Sequence, residues 1–251
     1  MNTESEFVAH EPCNNCGSSD ANSRYSDGHA YCFACQTYTP AEDWTHTHTR
    51  MNTNVQFLGS AEQLQKRRIS EKTNEFYRIY RHGNTLRFPY YDESGRVVGF
   101  KIKTKSKDFH YEGASASCLF GQHLFPTSGK RIVITEGELD AASCYEVMSG
   151  WPMVSLPHGA AAAKKDLQKA IPFLQGYQEI VLFFDNDEAG REAVESASSI
   201  LPAGRVKIAR LDAYKDASDA LQAEDREAIR RAIWDAKPYR PDGIVDGKNL
   251  M

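Results

Sequence analysis

Arg131-Ile132-Val133-Ile134-Thr135-Glu136-Gly137-Glu138 is an apolar run that breaks into acid. Arg131 to Thr135, with Ile132, Val133 and Ile134, reads as a short apolar strand, and Glu136 to Met148 follows with helical character. Met153 to Leu156 reads as another strand, and Gly159 to Ala163 opens a helix. A third strand, Ile180 to Phe184, breaks into acid in the same way, at Asp185-Asn186-Asp187-Glu188-Ala189-Gly190. Ala189, Ala193, Val194, Ala197, Ile200 and Leu201 then recur at spacings of three and four, a helical stripe. Val206, Ile208 and Leu211 mark a fourth strand; Ala228, Ile229, Ala232 and Ile233 mark a final helix. Strands alternating with helices imply a largely parallel sheet covered on both faces. The expected class is α/β here and α+β over the whole chain.

In open sheets of this kind, sites gather at the C-terminal ends of the strands. Glu136, Asp185, Asp187 and Asp216 would converge on that rim. Two carboxylates about 4 Å apart cost on the order of 4 kcal/mol at an effective dielectric near 20. Several together need bound cations or raised pKa values. Oxygen ligands without a nearby histidine favour magnesium or manganese. Acids at helix starts can instead merely cap and complement the dipole, the reading given to Glu138 and Glu188.

The net charge of -4 hides an asymmetry. Residues 51–111 hold twelve Lys and Arg against six Asp and Glu, whereas the first fifty hold seven carboxylates against Arg24 and Arg50. A basic segment between acidic ones fits a protein that grips phosphates in one place. Within it, Ser60 to Arg68 carries a short helical pattern, and Ser70 is placed to cap a second helix. Arg87 to Tyr91 and Arg96 to Lys103 flank Asp92-Glu93-Ser94-Gly95 as a hairpin. Val98, Phe100 and Ile102 should face a core and Lys101 and Lys103 the other side, with Lys105 and Lys107 extending the row if the strand continues. Such a row suits a polyanion lying across it; the bland alternative is an edge strand guarded by lysine.

Near the N-terminus, Cys13-Asn14-Asn15-Cys16 and Cys32-Phe33-Ala34-Cys35 match zinc-ribbon spacing. Asp27-Gly28 between them signals a hairpin that returns the second pair to the first. A module this small buries too little apolar surface to fold alone. One structural zinc would supply on the order of 10–16 kcal/mol. Cys118 and Cys144 stand alone and read as packed thiols. No run of about 18 apolar residues suggests a membrane span, and residues 1–10 lack a secretory pattern, so a cytoplasmic protein with reduced thiols is expected. Gln36 to Asn54 reads as a flexible linker, with His46 and His48 as exposed linker histidines rather than ligands. The expected division is a zinc ribbon at 1–38, a linker at 39–54, a basic mixed subdomain at 55–127, an acidic α/β subdomain at 128–237 and a further linker from 238.

Glu136-Gly137-Glu138 after one strand and Asp185-x-Asp187 after a later one resemble the TOPRIM domain of DNA primases and of type IA and II topoisomerases. The zinc ribbon in front resembles primases of the bacterial and phage type, most closely the primase part of T-seven-like phage primase–helicases. Pro12 to Asp20, Ser26 to His29, Val133 to Glu138, His158-Gly159-Ala160, Phe184 to Gly190 and Lys215-Asp216-Ala217 carry the likeness, and Pro241 to Val245 resembles the start of a linker to a helicase ring. The resemblance implies an RNA polymerase domain built from the mixed and TOPRIM subdomains, making short RNA primers from ribonucleoside triphosphates on single-stranded DNA. It implies template reading by Asp27, His29 and Tyr31, and metals held by Asp185, Asp187 and Asp216. Glu136 would act as base or metal ligand. Lys101 and Lys107 match the family's catalytic lysines; Lys103, Lys105 and His158 would contact nucleotide. A replicative helicase and a DNA polymerase are the implied partners, with the host cytoplasm as location. No Gly-x-x-x-x-Gly-Lys-Ser/Thr motif occurs, so nucleotide-driven unwinding is not expected of this chain. The rival readings are another TOPRIM enzyme, a nuclease or topoisomerase, and a non-catalytic zinc-dependent DNA-binding module.

Overall fold

The computed structural model describes residues 5–13, 16, 18–26, 28–35, 37–39, 57–106, 108–114 and 116–240. Asp27, Lys107, the histidines at 46 and 48, and the tail from Pro241 lie outside the described residues. The chain divides into two compact units, Met1–Asn52 and Thr53–Met251.

The first unit is one antiparallel sheet of β1 (Phe7–Glu11), β2 (Asn22–Tyr25), β3 (Ala30–Cys32) and β4 (Tyr38–Thr39), in that order. Asn22 pairs with Cys32 and Arg24 with Ala30 across the expected hairpin. Gly28 in its turn takes a φ of 88°, which a side chain would strain. Tyr38 and Thr39, at the expected boundary between ribbon and linker, pair with Tyr31 and Ala30 as a fourth strand. The reason is local: Cys32 N–H donates to Thr37 O at 2.8 Å, which turns the chain back alongside β3. Among the described residues of this unit only Cys13, Ser23, Ala30 and Cys32 are buried.

In the second unit, only Gln65–Arg67 of the stretch 60–68 is helical, a 3-10 turn in place of the expected helix. Leu64 and Ile69 pair as an antiparallel bridge, and Arg68 turns left-handed at φ 58°, so backbone donors are satisfied across the bend. Ser70 caps α1 (Glu71–Tyr77), accepting from Thr73 N, and its hydroxyl donates to Glu146 Oε2 at 2.7 Å. β5 (Tyr80–His82), β6 (Thr85–Tyr91), β7 (Val97–Lys103) and β8 (Phe109–Gly113) form an antiparallel meander. Pro89 lies within β6, beyond the residues that pair with β5, so its missing N–H breaks no bond on that side. Phe100 and Ile102 are buried, as the alternation in β7 predicts.

The remainder is β9 (Gly129–Thr135), α2 (Glu138–Val147), β10 (Met153–Ser155), α3 (Ala163–Leu174), β11 (Tyr177–Phe183), α4 (Glu188–Ser198), β12 (Val206–Ile208), α5 (Ala217–Gln222), α6 (Arg226–Trp234) and β13 (Lys237–Pro238). The sheet order is β10-β9-β11-β12-β13, parallel except for the antiparallel β13. Both faces are dry. Ile132, Ile134, Ile180 and Leu182 pack with Leu167, Ala193 and Val194 of α3 and α4. Val133, Val181 and Phe183 point the other way, to Leu139, Ala220 and Ile229 of α2, α5 and α6. That second cluster also holds Tyr77, Phe88 and Tyr90, so the meander and the parallel sheet share one core. Three elements differ from expectation. β12 stops at Ile208 rather than Leu211; α5, six residues long, is too short to show a period; Pro238 pairs with Lys207 instead of beginning a linker.

Candidate active site and metal centres

The four paired cysteines meet. Their Sγ atoms lie within 4.8 Å of one another, with Cys13–Cys35 and Cys16–Cys32 both at 3.7 Å. A tetrahedral zinc with Zn–S bonds near 2.3 Å needs sulfurs about 3.8 Å apart. The donor set therefore fits zinc in both chemistry and spacing, and all four are free of disulfides. On the same sheet Tyr25 stacks on His29 at 4.3 Å and 9°, His29 on Tyr38 at 5.4 Å, and Tyr31 meets Phe33 edge-on at 4.9 Å. His29 and Tyr31 thus belong to a wider aromatic surface; Tyr38 and Phe33, both exposed, were not expected in it.

The second unit gathers three carboxylates at the ends of its strands. Oxygens of Asp140, Asp185 and Asp216 lie within 4.8 Å of one another. Asp140 projects from the first turn of α2, Asp185 follows β11, and Asp216 caps α5 by accepting from Asp219 N at 2.7 Å. Asp140 keeps part of its surface on the cleft and is enclosed elsewhere. Burial, then the charges of Asp216 and Asp185, push its carboxyl well above the usual range. Burial also raises Asp185, opposed by Lys215, whose Nζ lies 3.1 Å from both Asp185 and Asp187. Glu136 lines the same cleft; burial and then Asp185 raise it, and its Oε2 is buried without a hydrogen-bond partner among the described residues. Asp187 is the cap of α4, accepting from Gly190 N at 3.0 Å, a bond that holds its carboxyl below the usual range. A crowd of half-buried oxygen donors, one of them unsatisfied, fits a hard divalent cation.

Cations face these acids across a cleft of about 580 Å³. Lys101 Nζ donates to Glu138 Oε1 at 2.8 Å and to Pro157 O at 2.9 Å. Tyr90 OH also donates to Glu138, at 2.6 Å. Glu138 is therefore a buried counter-ion, not a solvent-facing cap. Lys103 and Arg67 line the cleft too, and burial followed by the Arg67 charge lowers the Lys103 pKa. Lys105 does not continue the row. β7 ends at Lys103, Thr104 N–H donates to Asp108 O, and the chain reverses, leaving Lys105 exposed in the turn beside a neighbouring groove with Lys66 and Arg81. His158 lines the cleft with its Nδ1 3.0 Å from Asp166 Oδ1.

The Lys101–Glu138 pair yields a prediction. Its side chains are 11% and 5% exposed, so removing one partner strands a buried charge. Lys101→Met should lower stability by about 3–5 kcal/mol in urea unfolding. Adding Glu138→Gln should restore most of it without restoring activity. If stability fails to recover in the double variant, the pair is not the cause.

Asp140, Arg67 and Tyr111 line this cleft with no role expected from sequence, and so do Glu138, expected only as a dipole partner, and Lys215, expected only as part of the motif with Asp216. Asp140 had a visible signal: it is the third acid of the alternating run Glu136, Glu138, Asp140. Arg67 had none, because its place depends on the bend at Arg68.

Known proteins resemble this chain. Residues 133–221 match the family model described as Toprim-like. A DNA helicase/primase of Enterobacteria phage T3 is 38% identical over 98% of this chain and 47% of its own length; the chain thus spans about half of that relative. The primase fragment of the bacteriophage T7 primase-helicase protein superposes with a TM-score of 0.66 at 35% identity, covering 91% of this chain and 100% of that one. Primase domains of bacteriophage T7, solved with a lagging-strand DNA polymerase, an RNA/DNA hybrid and dTTP, are 37% identical with a TM-score of 0.66, over 72% of this chain and 93% of theirs. A cysteine cluster with zinc geometry, an acid-lined cleft at the ends of parallel strands and this likeness over whole folds agree: the chain belongs to the TOPRIM-type DNA primases of the phage primase–helicase family.

Proposed function

We propose that the chain makes short RNA primers on single-stranded DNA from ribonucleoside triphosphates. The observation that carries this reading is the meeting of Asp140, Asp185 and Asp216 with Glu136 in one cleft faced by Lys101, Lys103 and Arg67. The 3′-hydroxyl of one nucleotide attacks the α-phosphorus of the next; the new P–O bond forms as the bond to pyrophosphate breaks. Asp140, Asp185 and Asp216 would hold magnesium or manganese, two ions with the help of Asp187, which when bound stabilise the attacking and leaving oxygens. Glu136, with its unsatisfied Oε2, accepts the hydroxyl proton. Lys101, fixed by Glu138 and Pro157 O, and Lys103 neutralise the triphosphate. Lys107 is assigned to the same task by resemblance alone.

The zinc unit would read the template. Its stacked rings Tyr25, His29 and Tyr38, with Tyr31, offer faces for unstacked bases. A replicative helicase and a DNA polymerase are the proposed partners in the host cytoplasm; no described helix is long and apolar enough to cross a membrane. The division into zinc ribbon, linker, basic subdomain and TOPRIM subdomain is part of the same proposal. Incubation with single-stranded DNA, ribonucleotides and magnesium tests it. Template-dependent RNA oligomers are expected. Nicked DNA without RNA would favour a cleaving TOPRIM enzyme, and no product of either kind a binding module.

A further inference from the structure

The loop that carries Asp185 and Asp187 is clasped to the segment that carries Asp216. Asn186 N–H donates to Lys215 O at 2.7 Å, and Asn186 Nδ2 donates to Leu211 O at 2.9 Å. Gly190 sits so close behind the loop that a Cβ there would collide with Asp185 O. The clasp sets Lys215 over the acids, where its Nζ lies 3.1 Å from Asp185 Oδ2 and 3.1 Å from Asp187 Oδ2. The other oxygen of Asp187 accepts from Gly190 N at 3.0 Å. Asp140, Asp185 and Asp216 are the carboxylates close enough to share one ion, and Asp187 stands outside that group.

An ammonium bridges two carboxylates as a metal cation does, but with one charge and through hydrogen bonds. Lys101 and Lys215 both pair with acids here, under different conditions. The Lys101 side chain is 11% exposed and locked on Glu138 and Pro157 O. That of Lys215 lines the cleft 53% exposed, and an exposed ion pair holds weakly. Its ammonium can therefore leave while the backbone clasp keeps Asp185 and Asp187 in place. A second divalent ion beside the ammonium would crowd positive charge between the same two aspartates. A triphosphate removes that obstacle, because its oxygens supply negative charge for the ion and the ammonium alike.

We infer that Lys215 is a positioning residue that keeps Asp187 closed to a second divalent ion until a nucleoside triphosphate arrives. The free chain takes up one ion, on Asp140, Asp185 and Asp216. The second enters with the triphosphate, and the displaced ammonium passes to the phosphate oxygens. This rests on the primer-synthesis reading and adds to it an order of assembly. Lys215→Met has a definite consequence. It keeps the length of the side chain and removes the competing charge, so Asp187 opens to an ion without any nucleotide.

The paramagnetic resonance of free manganese counts the ions taken up by the zinc-loaded full chain. Without nucleotide, the native chain and Lys215→Arg should each bind one manganese ion, and Lys215→Met should bind two. Adding Asp187→Asn to Lys215→Met should return the count to one. A non-hydrolysable ATP analogue should bring the second ion to the native chain, held roughly tenfold more weakly in Asp187→Asn. A native chain that binds two ions unaided would overturn the inference, and so would a folded Lys215→Met chain that still binds one. Equal affinity for the nucleotide-borne ion in the native chain and Asp187→Asn would overturn it as well. A native chain that makes no RNA would sink primer synthesis instead, while the counts without nucleotide still decide the role of Lys215.

Discussion

Asp140→Asn should abolish most primer synthesis and, at the same time, stabilise the metal-free chain at neutral pH. The two effects share one cause. Asp140 is enclosed, and its carboxylate lies within 4.8 Å of Asp185 and Asp216 oxygens. Burial and those two charges raise its pKa well above the usual range. Ionising it at neutral pH therefore costs folding free energy. Asparagine keeps the shape and the acceptor for Ser218 N, now 3.0 Å from Asp140 Oδ1, and removes the charge. Removing a charge that burial and two neighbouring carboxylates oppose, against only partial relief from Arg67 and Ser218 N–H, stabilises the metal-free fold. A cation relieves the same repulsion in the native protein: at a hundred times its Kd, a ligand adds about 2.7 kcal/mol. Manganese should thus raise the melting temperature of the native chain and barely move that of Asp140→Asn. Synthesis should drop roughly a hundred- to a thousandfold, the scale of losing one preorganised charge-stabilising group. Equal manganese stabilisation in both proteins would show that the cation binds elsewhere.

The pH dependence follows with a definite sign. Asp140, Asp185 and Glu136 are all raised in the folded state. The native chain then holds protons that the unfolded chain has already lost. Stability falls with rising pH wherever the native state binds more protons. Their contribution is complete below the ordinary carboxylate values of 3.8 and 4.5 and is lost as pH climbs through the raised ones. Metal-free protein should lose stability over that climb, and saturating magnesium should flatten the slope. Asp187, held low by the Gly190 N–H, acts in the opposite sense, but its side chain is 41% exposed and solvent screening leaves it little weight.

What could be read from the sequence was what repeats within a few residues. The cysteine pairs, the strands ending in acid and the alternation of Phe100 and Ile102 with Lys101 and Lys103 are local patterns, and the fold keeps them. What could not be read was which acid faces which lysine. Glu138 opens α2, where a dipole partner is the ordinary expectation, yet β7 comes across to cover it with Lys101. Asp140, one half-turn on, faces Asp185 and Asp216 because α5 delivers the Ser218 N–H to it. Both facts depend on packing between segments far apart in the chain, and no period encodes them. The extension of the lysine row to Lys105 failed for the converse reason: a two-residue period continues on paper, whereas Thr104 and Asp108 close a turn.

Zinc removal should unfold the first unit and leave the second standing. The described part of the first unit buries only Cys13, Ser23, Ala30 and Cys32, two of them ligands in waiting. Its four strands have two to five residues each, too little sheet to persist without a core. Four thiolates around one zinc supply about 10–16 kcal/mol, as much as the net stability of a whole domain. A strong chelator, or Cys32→Ser, should therefore abolish the near-ultraviolet signal of the stacked Tyr25 and Tyr38 while the melting transition of the second unit stays in place. That unit has two apolar clusters of its own and needs no zinc to fold. Template-dependent initiation should vanish, and extension of a pre-made dinucleotide should persist. Loss of both activities together would mean that the zinc unit contributes to the chemistry itself, and the assignment of template reading to one unit and nucleotide joining to the other would fall.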